Sequence, residues 1–316
     1  RVAILLASLA LGAAARATET ENLGIRILPA PGKVEIDGKF ADWDLSGGVF
    51  VCGDVEHQRD QLAVWIHAMY DAEHLYVLAR WRDETPLSNP GLAGSDHPWN
   101  GDSLQLRIIA DPERQAAGKP IICWANAWRD RAGQDAMDLD FPNKNGEVLR
   151  DAIAKGARQA CQTDADGKGY VQELALPWKL LVPDGIRPQA GQRMVFSVEP
   201  NFNLTTGYRI SLKDLFRPGV VPDRVFTFMA SSCWGYGTFA PAGKVEPQRL
   251  RLADNREFAV TRRDGVPAVD WTGLFEERKT EGFSKIALDM PQDGYVSLNI
   301  KNASGEVVRQ LVNAAF

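Results

Sequence analysis

Nine tryptophans in 316 residues are more than packing ordinarily needs, and their positions sort them into two groups. Trp43, Trp65, Trp81 and Trp178 lie in or beside stretches that alternate apolar and polar residues, so they are expected in a core. Trp99 stands apart, directly after a long loop (residues 85–98) of Pro, Gly, Ser and Asn, with little nearby to bury against. An indole left in water offers a large rigid apolar face at low entropic cost, onto which the C–H groups of a ligand can shed water. Polar side chains able to orient a ligand follow closely: Asn100, Asp102, Gln105 and Arg107. Trp124 and Trp128, four apart on an extended segment, would share one face and could form a second stacking surface.

Patterns for bond-breaking chemistry are missing from the sequence. There is no G-x-S-x-G elbow, H-E-x-x-H helix, P-loop or dinucleotide fingerprint, and the four histidines (His57, His67, His74, His97) show no i, i+4 pair. Glycoside cleavage needs two carboxylates about 5 to 10 Å apart across a cleft. Glu173, Glu199 and Asp102 are available, but nothing in the sequence pairs them, and no catalytic residue is assigned. Gln162-Thr-Asp164-Ala-Asp166-Gly167, with Glu173 beyond, spaces its acids like a calcium loop. A Gln at the first position and strands on both sides make an Asp-Gly hairpin turn the simpler reading.

The elements that must position these residues are strands. Runs at 62–69, 75–81, 103–109, 120–127, 170–176, 194–199, 224–229 and 249–252 are short and separated by turn residues, the mark of an antiparallel β-sandwich of jelly-roll or immunoglobulin-like type. In Ser103-Leu-Gln-Leu-Arg-Ile-Ile109, Leu104, Leu106 and Ile108 would face the core and leave Ser103, Gln105 and Arg107 on a polar face. Residues 147–159 read equally as a short helix or an irregular strand. Thirty-six basic against forty-one acidic residues, a net charge of −5 and no dense basic run argue against a nucleic-acid partner.

The ends extend this division. Residues 1–17 run from a basic residue through about fourteen apolar ones to Ala15-Arg16-Ala17. They read as a secretory signal peptide, too short for the roughly 20 residues that span a membrane. An exported chain without membrane insertion is expected, secreted, periplasmic or at the cell surface. Export permits disulfides; of the four cysteines (Cys52, Cys123, Cys161, Cys233), Cys123 and Cys161 are the first candidates to pair, with buried free thiols the alternative. Residues 25–252 form the main domain and 253–288 a partly ordered connector. Residues 289–316 form the opening of a second all-β domain, where Tyr295-Val-Ser-Leu-Asn-Ile-Lys301, an Asn302-Ala-Ser-Gly305 turn and a return strand make a hairpin.

Four segments in order resemble the family-9 carbohydrate-binding modules and their DOMON-like relatives. They are Val34-Glu-Ile-Asp-Gly-Lys-Phe-Ala-Asp-Trp43; Tyr70-Asp-Ala-Glu-His-Leu-Tyr-Val-Leu78; Asp83 with Pro98-Trp-Asn-Gly-Asp-Ser-Leu-Gln-Leu-Arg107; and Gly169-Tyr-Val-Gln-Glu-Leu-Ala-Leu-Pro-Trp178. The resemblance spans residues 34–252. It implies a non-catalytic sandwich that binds polysaccharide or oligosaccharide within a larger carbohydrate-catabolic protein, acting beside a glycoside hydrolase. Trp99 and Trp234 would clamp a sugar ring, Asn100, Asp102, Gln105 and Arg107 would supply polar contacts, and calcium would brace loops through Asp83. Gln105 stands where the family commonly has an acid. Other relatives bind haem, for which Met69 and His67 are the residues to check, although an i, i+2 pair lies on one face and axial ligands must approach from two. A purely structural spacer between neighbouring domains is the remaining alternative. Separately, residues 293–309 resemble the first hairpin of the immunoglobulin-like domain of flagellar hook-capping proteins.

Overall fold

The computed structural model describes residues 18–92, 98–182, 187–204, 209–217, 220, 227–275, 296–301 and 307–315. The expected leader, residues 1–17, lies outside them. In chain order the strands are β1 (Gly24–Pro29), β2 (Val49–Cys52), β3 (Leu62–Tyr70), β4 (His74–Asp83), β5 (Ser103–Ile109), β6 (Cys123–Arg129) and β7 (Asp135–Phe141). There follow β8 (Glu147–Leu149), β9 (Arg158–Thr163), β10 (Gly169–Pro177), β11 (Arg193–Asn203), β12 (Arg209–Ser211) and β13 (Tyr236–Phe239). Three small pairs close the described chain: β14 (Leu250–Arg251) with β15 (Glu257–Phe258), β16 (Val260–Arg263) with β17 (Val266–Val269), and β18 (Val296–Lys301) with β19 (Val307–Ala315).

The first thirteen strands form one curled sheet in the order β8-β7-β6-β5-β11-β13-β1-β3-β4-β10-β9, with β12 on β11 and β2 on β3. Only β1 pairs in parallel, with β13 and with β3. The curl brings the two halves face to face as a β-sandwich. Leu104, Leu106 and Ile108 of β5, Ala125 of β6 and Phe196 and Val198 of β11 meet Val64, Ile66, Val77, Trp81 and Leu174 of the opposite half in one core. Gln172 Nε2 donates to Ala127 O across the layers (3.1 Å), and Gln159 Nε2 to Trp128 O (2.8 Å).

β3 reads as nearly continuous apolar sequence because both of its faces are covered. Its other face, carrying Trp65, His67 and Met69, lies under residues from 30–48 (Val34, Trp43) and from 250–274 (Leu250, Leu252, Phe258, Leu274). The expected connector is therefore ordered in its first part, which packs on the sandwich as β15, β16 and β17; residues 276–288 lie outside the described residues.

Several expectations need correcting. Residues 147–159 form no α-helix but the short strand β8 and one 3-10 turn (Ile153–Lys155) before β9. Of the expected strand at 224–229, the described residues Thr227 and Phe228 sit in a 3-10 turn; residues 224–226 lie outside the described set. The cysteines are all free. Cys123 points from β6 into the core while Cys161 sits on β9, which pairs with β10, so the two are not neighbours in the sheet. The expected C-terminal hairpin pairs antiparallel, β18 with β19, through register shifts; its turn, 302–306, lies outside the described residues. Among the described residues no helix is long and apolar enough to cross a membrane.

Candidate functional site

The polar face expected on β5 exists, and the sheet register builds it in rows. Glu199 of β11 stands beside Gln105, which stands beside Asn126 of β6 and then Asp138 of β7; in the next row Ser197, Arg107, Trp124 and Asp140 align. Their strand neighbours face the core, so alternation turns all of these outward. At the centre is a charged network. Arg107 donates to Glu199 Oε2 (3.0 Å) and to Gln105 Oε1, Lys213 Nζ lies 3.2 Å from Glu199 Oε1, and Ser211 Oγ donates to that same oxygen (2.6 Å). Burial opposes the charge on Glu199, but Lys213 and Arg107 prevail and hold its carboxyl below the usual range. A carboxylate so occupied is no proton donor at neutral pH. The Arg107 guanidinium lies over the Trp124 ring (5.2 Å). Two buried N–H donors on this face, Arg107 Nε and Trp124 Nε1, have no acceptor among the described residues.

Trp99 sits in a 3-10 turn, Pro98–Asn100, that packs on β5, β6 and β11. Its side chain is 38% exposed, and its neighbour Asn100 is exposed too. Asp102 lies beneath this turn, not on the polar face of β5. Its Oδ2 accepts from Ser88 N (2.7 Å) and its Oδ1 from Asn203 N (2.7 Å), tying the loop to β11. At Gly101 the chain passes so near the loop that a Cβ would come within 2.5 Å of Asn89 Cα. Only glycine fits there.

Asp83 is the partner of Asp102, and both are almost fully buried. Asp83 Oδ1 accepts from Thr85 N (2.8 Å), while among the described residues its Oδ2 has no donor other than the Asp102 carboxyl. Burial first, and the Asp83 charge second, push Asp102 up to about 9, so the pair shares one proton at neutral pH. The donor set does not suit calcium. Two carboxylates with three of four oxygens already accepting hydrogen bonds fall short of the six to eight oxygens the ion takes, and the described residues hold no cluster of three metal-binding side chains.

Trp234 corrects the expectation of a second clamping ring. It is 1% exposed, packed with Ile109, Val195 and Cys233 on the outer face of β5 and β11, and its Nε1 donates to Thr227 O (2.6 Å). An indole that has found both apolar neighbours and an acceptor has no reason to face water. Trp128 is fully buried, so it forms no stacking platform with the half-buried Trp124. Gln105 and Arg107 are each 4% exposed and bound first to one another. His67 and Met69 are packing residues: burial, then Arg80, lowers His67 to about 3, and Met69 Sγ accepts from Asp44 N (3.3 Å). Asp164 and Asp166 form the β9–β10 turn, where Gly167 N donates to Asp164 O, and both face Arg82.

The sequence reading missed Glu199 and Lys213 as members of the face. An alternating stretch from 194 marks Glu199 as outward, but only strand pairing sets it beside Gln105.

No protein-family model matches the chain, and no curated protein matches it. Among solved structures, a carbohydrate binding module family 9 from Caldicellulosiruptor kristjanssonii in complex with glucose is similar at a TM-score of 0.45 and 16% identity, over 71% of this chain and 100% of that one. The same module in complex with cellotriose gives 0.43 and 16%, over 71% and 98%. A protein from Bacteroides uniformis ATCC 8492, provisionally described as carbohydrate-binding, gives 0.46 and 11%, over 70% and 99%.

Proposed function

We propose that this chain is a non-catalytic saccharide-binding module, exported and forming part of a larger protein that works on polysaccharide, with an immunoglobulin-like domain beginning near residue 289. The observation that carries the reading is Trp99, an exposed indole on a turn that packs on β5, β6 and β11, strands whose polar face holds the buried donors Arg107 Nε and Trp124 Nε1 without acceptors among the described residues. A sugar ring suits both: its C–H face covers the indole, and its hydroxyl oxygens accept from the idle donors. With Trp234 buried, the ring is held by one indole and Asn100 over the Gln105–Arg107–Glu199 floor. The motif order across residues 34–252 supports the same reading.

Titration calorimetry with cellotriose, xylotriose and soluble glucan tests it. Binding by the wild type and a loss of at least about tenfold in Trp99→Ala is expected, since a stacked ring contributes roughly 1–2 kcal/mol. Full binding by Trp99→Ala refutes the assignment. The burial of Trp234 favours a second reading, a spacer that positions neighbouring domains; it predicts no heat with any saccharide.

A further inference from the structure

A cleft of about 760 Å³ opens on the opposite layer, between the outer face of β3, β4 and β10 and the β16–β17 hairpin. Trp65 and Trp271 line it, each half-buried and each packed on Phe50 (5.3 and 5.8 Å between ring centroids). Arginines outnumber acids along its walls, and the acids are committed. Arg82 is paired with Asp164 (3.5 Å) and Asp166 (3.2 Å), Arg59 lies 3.6 Å from Asp60, and Asp270 Oδ1 accepts from Thr272 N and Oγ1. Two arginines make no ion pair among the described residues, although Arg80 feels the Asp164 carboxylate held by Arg82. Arg80, on the floor, lies over the Phe40 ring (4.5 Å) and has no hydrogen bond or ion pair among the described residues; Arg263, on the exposed hairpin, has none either.

We propose that this cleft binds an acidic saccharide, a uronate-containing oligosaccharide, with its carboxylate on Arg80 and Arg263 and its ring against the Trp65–Trp271 wall. A guanidinium over an aromatic ring still has N–H donors to give, and their fork matches a planar carboxylate in a way that no neutral hydroxyl does. A ligand with no charge leaves Arg263 without a counter-charge and Arg80 with only the field of Asp164, which Arg82 already holds, whereas an isolated anion makes no use of the indoles. The site lies on the other layer from Trp99 and does not depend on the reading given for that residue.

Titration calorimetry of the full chain with trigalacturonate at low salt tests the assignment. Wild-type protein binds; affinity falls with added NaCl, and falls at least about tenfold in Arg80→Gln and in Arg263→Gln, the loss of a charge-assisted hydrogen bond. Arg263 is exposed, so its replacement leaves the fold intact and keeps the test open should Arg80→Gln unfold. Saturating cellotriose leaves trigalacturonate binding unchanged. The proposal is overturned by the absence of heat with trigalacturonate, by unchanged affinity in Arg263→Gln, or by displacement with cellotriose, which would place both ligands in one site. Failure of trigalacturonate alone, with cellotriose still bound, leaves the Trp99 reading standing.

Discussion

The shared proton of Asp83 and Asp102 makes the loop that carries Trp99 sensitive to pH, and Asp83→Asn isolates the effect. In the folded protein Asp102 holds its proton to about 9, against the usual carboxylate value of 3.8 in the unfolded chain. Between those values the folded state binds one more proton than the unfolded one, so stability falls by up to about 1.4 kcal/mol for each unit of rising pH. From pH 5.5 to 7.5 the pair then withdraws up to about 3 kcal/mol. Asn at position 83 keeps an oxygen for Thr85 N and turns an N–H toward Asp102, which can then ionise against a donor instead of a charge. The Ser88 and Asn203 N–H groups already pointing at Asp102 then stabilise its carboxylate. Urea unfolding followed by tryptophan fluorescence at pH 5.5, 6.5, 7.5 and 8.5 gives the difference between the two proteins, in which all other titrations cancel. Asp83→Asn should gain on the wild type steadily as pH rises. Parallel curves for the two proteins would show that no proton is shared and that the pair is held some other way.

Three further outcomes follow from the packing. Glu173→Gln should cost about 1–3 kcal/mol in urea unfolding, because one carboxylate accepts from Asp37 N (2.9 Å), Gly38 N (2.5 Å) and Trp43 Nε1 (2.6 Å), all buried or partly buried. Gly48→Ala should lower stability by about 1–3 kcal/mol, since a Cβ there would lie 2.2 Å from the His67 ring, and His67→Ala in the same chain should recover part of the loss. Glu199, held below its usual value by Lys213 and Arg107 against its burial, contributes stability present above the unfolded carboxylate range and lost as pH falls through its folded value. In Arg107→Met, stability at pH 7 should drop by about 3–5 kcal/mol and its decline between pH 5 and 3 should flatten, as read by the same unfolding series.

Alternation made the central strands legible, because β4, β5, β10 and β11 each send one set of residues into the core. It failed at β7, where Asp-Ala-Met-Asp-Leu-Asp-Phe breaks the alternation at Ala136-Met137 and its acids look like loop residues until the strand is seen with Trp124, Asn126 and Trp128 alongside. β1 and β2 are four to six residues long and specified by pairing with β3 and β13, which no local pattern reveals. Trp99 was legible as exposed because its surroundings are all turn formers. Trp234 was not legible as buried: Cys-Trp-Gly-Tyr-Gly reads as a loop, and what covers the indole comes from Ile109 and Val195, far away in sequence.

The motifs that suggested a saccharide-binding family are themselves mostly joints of the scaffold. Asp71 caps the β3–β4 turn by accepting from Glu73 N, His74 N and Tyr76 Oη, and Trp178 Nε1 donates to Asp71 O. Glu173 fastens the Asp37-Gly38 loop and Trp43 to β10, and Asp83 with Asp102 fastens the Trp99 loop to β11. Each of these residues would serve an empty sandwich as well as a loaded one, so the resemblance bears on architecture more than on ligand. On this layer the residues that can speak for binding are those that face water or keep unmet donors: the exposed Trp99 and Asn100, and Arg107 Nε and Trp124 Nε1. A buried N–H without an acceptor costs about 1–3 kcal/mol, and the fold keeps two of them side by side in the row where a strand partner could have been apolar. A ligand with oxygens on the face would recover that cost, so calorimetry at this face, and not further likeness of sequence, decides between a module that binds and one that merely separates its neighbours.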